Sequence, residues 1–167
     1  DKAIAAQKTY LNQMTDGSFK TMEQWKELYK EYYSTRYGLS KMTKEQRIRR
    51  AEELFMQGYN CAQSVTAAFA DMYGYTEEQA LKLSAGFGGG IGRMRKTWGA
   101  ACGMFILAGM DCGSASVDDR EGKSENYKVV QQLAEAFKQQ FGTLECAELL
   151  KLKKDAPLSY EASERTA

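Results

Sequence analysis

Residues 58–74 read GYNCAQSVTAAFADMYG, and this stretch decides the fold class. Asn60, with Gln63 three residues later, is typical of a capping box at the start of a helix. Apolar residues then recur at helical spacing, at Val65, Ala68, Phe69 and Met72. Gly74 follows the last of them, where glycine commonly ends a helix. The stretch therefore predicts a short helix that begins at Cys61.

The same signals recur along most of the chain. Helical spacing or a capping residue predicts further helices over 19–37, from Thr43, from Thr76, over 98–110, over 125–141 and from Thr143. The chain has one proline and no strand-like alternation, so helices can run almost throughout. We therefore predict an all-α, single-domain bundle of about six to seven helices with a glycine-rich loop between helices.

The predicted organisation has three parts. Residues 1–44 form an N-terminal helical extension packed on the main bundle, with a separate hairpin or docking arm as the alternative. Residues 45–154 form a four-cysteine domain, and 155–167 form a polar C-terminal tail. The chain begins at Asp1, which leaves open both a cytoplasmic protein and one exported after cleavage of a leader.

The composition excludes several classes of function. The 23 basic and 22 acidic residues nearly balance, so no nucleic acid partner is expected. No apolar run reaches the roughly 18 residues of a membrane span. The chain has no histidine, which removes serine–histidine and cysteine–histidine catalysis. No pair of carboxylates stands out for acid–base work, so no catalysed reaction is indicated. Thiols remain as the plausible reactive groups.

Four cysteines, Cys61, Cys102, Cys112 and Cys146, carry the candidate chemistry. None forms a Cys-x-x-Cys pair, so structural zinc and thioredoxin-type layouts are absent. We predict helix starts at Cys61, Cys102 and Cys146, where the helix dipole favours a thiolate. We predict Cys112 just past a helix end, about 15 Å from Cys102 unless the chain bends at Gly109. The alternative for each cysteine is that it only fills the core.

The stretch GFGGGIG at residues 86–92 is the second candidate feature. It lacks the Gly-Lys-Ser/Thr ending of a P-loop, and no strand precedes it as in a dinucleotide-binding motif. Its candidate cofactor-binding residues are Gly88, Gly89 and Gly90, whose backbone could approach a bound group closely. Close packing of helices around a bend explains the glycines equally well. Arg93, Arg95 and Lys96 follow, as an anion site or as a solvated basic surface.

Four separated motifs carry a family resemblance, at residues 58–65, 86–92, 102–103 and 146–150. Together they resemble the redox-active family named for its Cys, Gly-Cys-Ala-x-x-Gly, Cys, Cys signature. The resemblance extends over residues 45–152. The domain of this family is related to one that split-Soret cytochromes carry. The resemblance implies an all-helical homodimer whose four cysteines bind an iron–sulfur cluster. Haem attachment is excluded, since no Cys-x-x-Cys-His is present. Met104 and Ile106 follow Cys102, where the family usually has a small residue and then a glycine.

Three functions follow from these patterns. The first is an electron-transfer protein with a four-cysteine iron–sulfur cluster and a redox partner protein. The second is a metal-free thiol–disulfide protein that pairs Cys102 with Cys112 and Cys61 with Cys146. The third is a helical interaction protein with structural cysteines. The resemblance favours the first.

Overall fold

The computed structural model describes residues 42–153 and 157–161. Six α-helices lie in this part: α1 Lys44–Met56, α2 Cys61–Phe69, α3 Glu77–Ser84, α4 Gly99–Cys112, α5 Arg120–Phe141 and α6 Cys146–Leu149. Short 3-10 helices follow α2 at Ala70–Tyr73 and α3 at Ala85–Phe87. The described residues contain no strand, only an isolated antiparallel bridge between Thr97 and Glu145. The all-α prediction is confirmed, while the predicted helix over 19–37 lies outside the described residues, as does nearly all of the 1–44 extension.

Local signals set several helix ends as predicted. Asn60 accepts from the N–H of Gln63, whose side chain accepts from the N–H of Asn60, so the capping box of α2 is confirmed. Thr76 and Gln79 form the same box at α3. The prediction for α6 was wrong, because Glu145 precedes its first residue and the Thr143 hydroxyl only accepts from the Glu145 N–H.

Two helix boundaries also differ from the sequence prediction. Helix α4 continues to Cys112 instead of stopping at residue 110, since Gly109 has helical backbone and does not break it. Helix α5 begins at Arg120, because the Asp119 side chain accepts from the Gly122 N–H and caps it five residues earlier than predicted. Cys112 is thus the last residue of α4, inside the helix rather than beyond it.

Helix α2 occupies the centre of the fold and packs against α1, α3 and α4. A buried cluster of Leu54, Ala67, Ala70 and Ala80 joins it to α1 and α3. On the α4 side, a Cβ added to Gly103 would lie 3.1 Å from the carbonyl oxygen of Ala62. The two backbones therefore approach closely, which places the starts of α2 and α4 side by side.

Helix α5 packs on α4, and none of its residues is fully buried. None of the described helices combines the length and the apolar character that crossing a membrane would require.

Candidate functional site

Cys61 is the first residue of α2 and faces the start of α4. A Cβ added to Gly99 would lie 3.0 Å from the Cys61 Cβ and 3.1 Å from the Phe87 carbonyl oxygen. Cys102 lies one turn after Gly99 on the same face of α4, where side chains three residues apart are about 5–6 Å apart at Cβ. The Cβ atoms of Cys61 and Cys102 therefore lie within about 9 Å of each other.

Cys102 and Cys146 meet at the bridge that closes the fold. The Cys102 thiol donates to the Thr97 carbonyl oxygen, with 3.6 Å from Sγ to oxygen. The Cys146 N–H donates to the carbonyl of Lys96, the residue before Thr97, at 2.7 Å. The two side chains are only 5% and 2% exposed. Residues 44 positions apart in the chain thus share one buried corner.

Burial raises the pKa of the Cys102 thiol, against a hydrogen bond from its own N–H, and negative charge on Cys146 raises it further. Burial also raises the pKa of Cys146, although the Arg95 guanidinium opposes this through a hydrogen bond and its charge. The sequence predicted stabilised thiolates at both positions. That prediction was wrong because desolvation outweighs the groups that favour a thiolate, which are the backbone N–H at Cys102 and the Arg95 guanidinium at Cys146.

The glycine-rich loop turns with the opposite hand to an α-helix. The five residues from Gly89 to Arg93 all have positive φ, between 57° and 73°. Their turns are closed by hydrogen bonds such as Gly92 N–H to Gly86 C=O at 2.7 Å. Ile91 has φ 60°, which is a genuine outlier for a β-branched residue. Such a conformation persists only where the surroundings fix it.

The predicted cofactor-binding glycines lie inside this tight packing. A Cβ on Gly88 would come within 2.5 Å of the Asn60 side chain, and one on Gly90 within 2.6 Å of the Cys146 Cβ. Gly89 and Gly90 also have positive φ, which favours glycine whether or not a ligand binds. Close packing thus accounts for all three, and contact with a cofactor stays a prediction.

Cys112 lies away from the other three cysteines. Since α4 is continuous from Gly99 to Cys112, ten residues separate Cys102 and Cys112 by about 15 Å along its axis. The Cys112 Sγ accepts from the Asn126 amide of α5 at 3.3 Å and donates to the Ala108 carbonyl at 3.2 Å. The predicted Cys102–Cys112 disulfide is wrong, because a disulfide needs Cα atoms within about 7 Å.

The described cysteines therefore do not fit a single four-thiolate cluster within one chain. Cys102 lies near Cys61 and also near Cys146, but no group of three or more cysteine or acidic residues in the described part is placed so that it could hold a metal ion. We call Cys61, Cys102 and Cys146 the cysteine triad. None of the four cysteines, all of which lie in the described part of the chain, forms a disulfide in this structure.

Sequence reasoning missed two residues of the site. Arg95 donates a hydrogen bond to Cys146, but 51 residues separate them and no local pattern announces the contact. Asn60 was identified only as a cap, yet its Nδ2 also donates to the Ala85 carbonyl at 3.0 Å. The available signal was the residue type, because an asparagine that caps a helix through its oxygen keeps an NH₂ group that can donate to another segment.

The fold and site define a helical protein with buried, neighbouring thiols around a glycine loop. A family model described as "Putative redox-active protein (C_GCAxxG_C_C)" matches residues 59–166, well over half of the chain. The chain belongs to that family, as its motifs indicated. No curated protein and no solved structure matches it.

Proposed function

We propose that this chain is a metal-free dithiol–disulfide protein whose reactive centre is the cysteine triad. The observation that carries the proposal is the buried pair Cys102 and Cys146, which bond to the carbonyls of the adjacent residues Thr97 and Lys96 and so share one corner. Membership of a redox-active family supports it. A disulfide is neutral, so a site that disfavours thiolates through burial tolerates the oxidised form without that cost.

The three cysteines have different access to a partner. Cys61 is half-buried at the first residue of a nine-residue helix, whereas Cys102 and Cys146 are buried. A thiolate at that helix start is stabilised by the dipole. Cys61 is therefore the thiol that meets the disulfide of a redox partner protein.

The exchange proceeds in three thiol–disulfide steps. The Cys61 thiolate attacks the partner disulfide, which forms a mixed disulfide and releases one partner thiolate. Cys102 then attacks the Cys61 sulfur and releases the second partner thiolate, a step in which the start of α2 must move until the two Cβ atoms are about 3.5–4.5 Å apart. Cys146 attacks Cys102, which leaves a Cys102–Cys146 disulfide and regenerates Cys61. The chain loses two electrons and two protons, and the partner is reduced to a dithiol.

Peptide mapping under non-reducing conditions tests this sequence after equilibration with a small-molecule disulfide. Wild type should end with Cys102 joined to Cys146, Cys146→Ser should trap Cys61 joined to Cys102, and Cys102→Ser should stop at the mixed disulfide on Cys61. Cys112→Ser is the matched control and should match wild type. Four alkylatable thiols after oxidation, or a disulfide that includes Cys112, would refute the proposal.

The iron–sulfur cluster implied by the sequence resemblance is the second hypothesis. Membership of a family described as redox-active supports it, since thiolates are the usual cluster ligands. The position of Cys112 at the far end of α4 counts against a four-cysteine site. Anaerobic reconstitution followed by iron and sulfide analysis decides between the two. Colourless, iron-free protein excludes the cluster, and stoichiometric iron and sulfide lost in Cys102→Ser excludes the metal-free proposal.

The homodimer and the three-part division of the chain also stay proposals. Helix α5 carries a half-buried apolar stripe, at Val129, Val130, Leu133, Ala134 and Phe137. The stripe lies on the same face as Asn126, which bonds to α4, and the area that α4 leaves exposed is what a second copy would cover. Sedimentation equilibrium of the full chain gives the answer, with a monomer at all concentrations as the contrary result.

A further inference from the structure

The two side chains of the α2 capping box also form hydrogen bonds to a neighbouring helix. The Asn60 and Gln63 side-chain oxygens accept from the backbone N–H groups of the box, as capping requires. Their amide nitrogens point to a different element: Asn60 Nδ2 donates to Ala85 C=O at 3.0 Å and Gln63 Nε2 donates to Leu81 C=O at 3.1 Å. Both groups of each amide are therefore used, one within α2 and one across to the end of α3.

The two carbonyls belong to the segment that leads into the glycine-rich loop. Leu81 lies in the second half of α3, and Ala85 begins the 3-10 turn that ends at Phe87. These carbonyls lie four residues apart, on one face of a helical segment. Two cross-links to one face hold the start of α2 at a fixed height and rotation relative to the loop.

Gly88 of the glycine-rich loop packs directly against the Asn60 amide. A Cβ at that position would lie 2.5 Å from Cγ and Nδ2 of Asn60, so the loop backbone rests directly on the amide. The φ of Gly88 is −64°, which any residue adopts. Glycine is required there by the approach of Asn60 and not by the backbone conformation.

The chain contains an internal comparison for this arrangement. Thr76 and Gln79 form the same capping box at α3, with hydrogen bonds of 2.9 and 3.2 Å. Within the described residues, this second box is exposed and donates to no neighbouring helix. A cap alone needs only a hydroxyl, as Thr76 shows, so the bridging amides at α2 are an addition.

We propose that Asn60 and Gln63 form an amide clamp that positions Cys61 against the glycine-rich loop, and so sets how far the entry thiol is exposed. Asn60 immediately precedes Cys61, and Cys61 in turn packs against Gly99. A shift of the helix start therefore moves this thiol first. The inference relies on the proposed function only for the role of Cys61 as entry thiol. Asn60 and Gln63 are positioning residues.

The test is the rate at which a neutral alkylating reagent modifies Cys61, relative to Cys112 in the same folded molecule. Asn60→Ser keeps a capping oxygen but removes the bridging amide, and we expect the Cys61 to Cys112 ratio to rise by about threefold to tenfold, the factor of one net hydrogen bond. Gly88→Ala, which pushes on the amide from the other side, should raise the ratio similarly. Thr76→Ser is the matched control and should leave the ratio unchanged.

The outcomes separate positioning from simple capping. An unchanged ratio in Asn60→Ser, with only a lower melting temperature, would overturn the clamp. If Gly88→Ala does not fold, Asn60→Ser decides alone, since serine is a good cap. Failure of the clamp and failure of the proposed function can be distinguished, because the alkylation ratio can be measured in a protein that never forms a disulfide.

Discussion

The two ends of α4 each carry a cysteine, yet their surroundings are opposite. At its start, Cys102 is 5% exposed and lies beside Cys61 and Cys146, under a loop of reversed hand. At its end, Cys112 is half-buried and forms hydrogen bonds with Asn126 of α5 and with the Ala108 carbonyl of its own helix. One helix and one residue type thus give a thiol in a constrained, desolvated corner and a thiol on an ordinary helix–helix seam. The chemistry of each follows from its neighbours and not from its place in a helix.

The largest contrast is expected from glycine replacements near the two ends. Gly90→Ala places a Cβ against Cys146 and Lys96 at a φ of 73°, so we expect a loss of about 3 kcal/mol in the free energy of unfolding. Gly109→Ala has open space around it in α4 and should stabilise by up to about 1 kcal/mol. Urea unfolding measures both. Equal effects of the two substitutions would contradict the contrast.

A second contrast lies in thiol accessibility. In folded protein at pH 8, Cys61 and Cys112 should be alkylated first, with Cys102 and Cys146 at least about tenfold slower, because the buried thiols react only after local opening. Mass spectrometry of pulse-labelled peptides gives the four rates. Protein unfolded in urea is the control, in which the four rates should converge. A Cys102 rate equal to that of Cys112 in folded protein would remove the distinction.

The buried thiols near the start of α4 should also make the free energy of unfolding depend on pH in the alkaline range. Burial raises the pKa of Cys102 and Cys146 above the ordinary value of 9.0. In the unfolded chain these thiols lose their protons first, so their contribution to stability is complete below pH 9 and is lost as the pH rises through the folded-state pKa. Urea midpoints measured from pH 8 upward should fall more steeply in wild type than in Cys102→Ala. Parallel curves would contradict this.

The smallest effect is expected at the far end of α4. Asn126→Ala removes the donor to Cys112 and to the Ala108 carbonyl, and should cost about 0.5–1 kcal/mol. The alkylation rate of Cys102 should not change, because about 15 Å of helix separates it from this site. Cys112→Ser, which keeps a polar group at the position, is the control and should cost less. A change in Cys102 reactivity would show that the two ends are coupled.

The sequence predicted what depends on close neighbours in the chain. Asn60 with Gln63, and Thr76 with Gln79, are signals that span four residues each, and both capping boxes form where expected. The glycine-rich loop was also located, since no helix or strand tolerates that composition. The all-α class followed from repeated helical spacing.

What the sequence did not predict depends on contacts between distant segments. Nothing near Ile91 indicates a positive φ, since a β-branched residue disfavours it and only the surrounding packing fixes it. Glu145 replaced Thr143 before α6 because the chain there is held by the bridge to Thr97. The raised pKa of Cys102 likewise comes from burial, which the position of a cysteine in a helix cannot reveal.

The bridge that joins the residue pair Thr97 and Glu145 also sets an order of events during synthesis. Its flanking hydrogen bond joins Lys96 to Cys146, fifty residues later in the chain. At about 5–20 residues per second, a ribosome needs roughly 3 to 10 seconds to make that interval. During that time the capped α2 can already exist, while the segment around Cys146 that later buries Cys102 has not been made. The buried corner around Cys102 therefore closes only after residue 146 has been made and the bridge has formed.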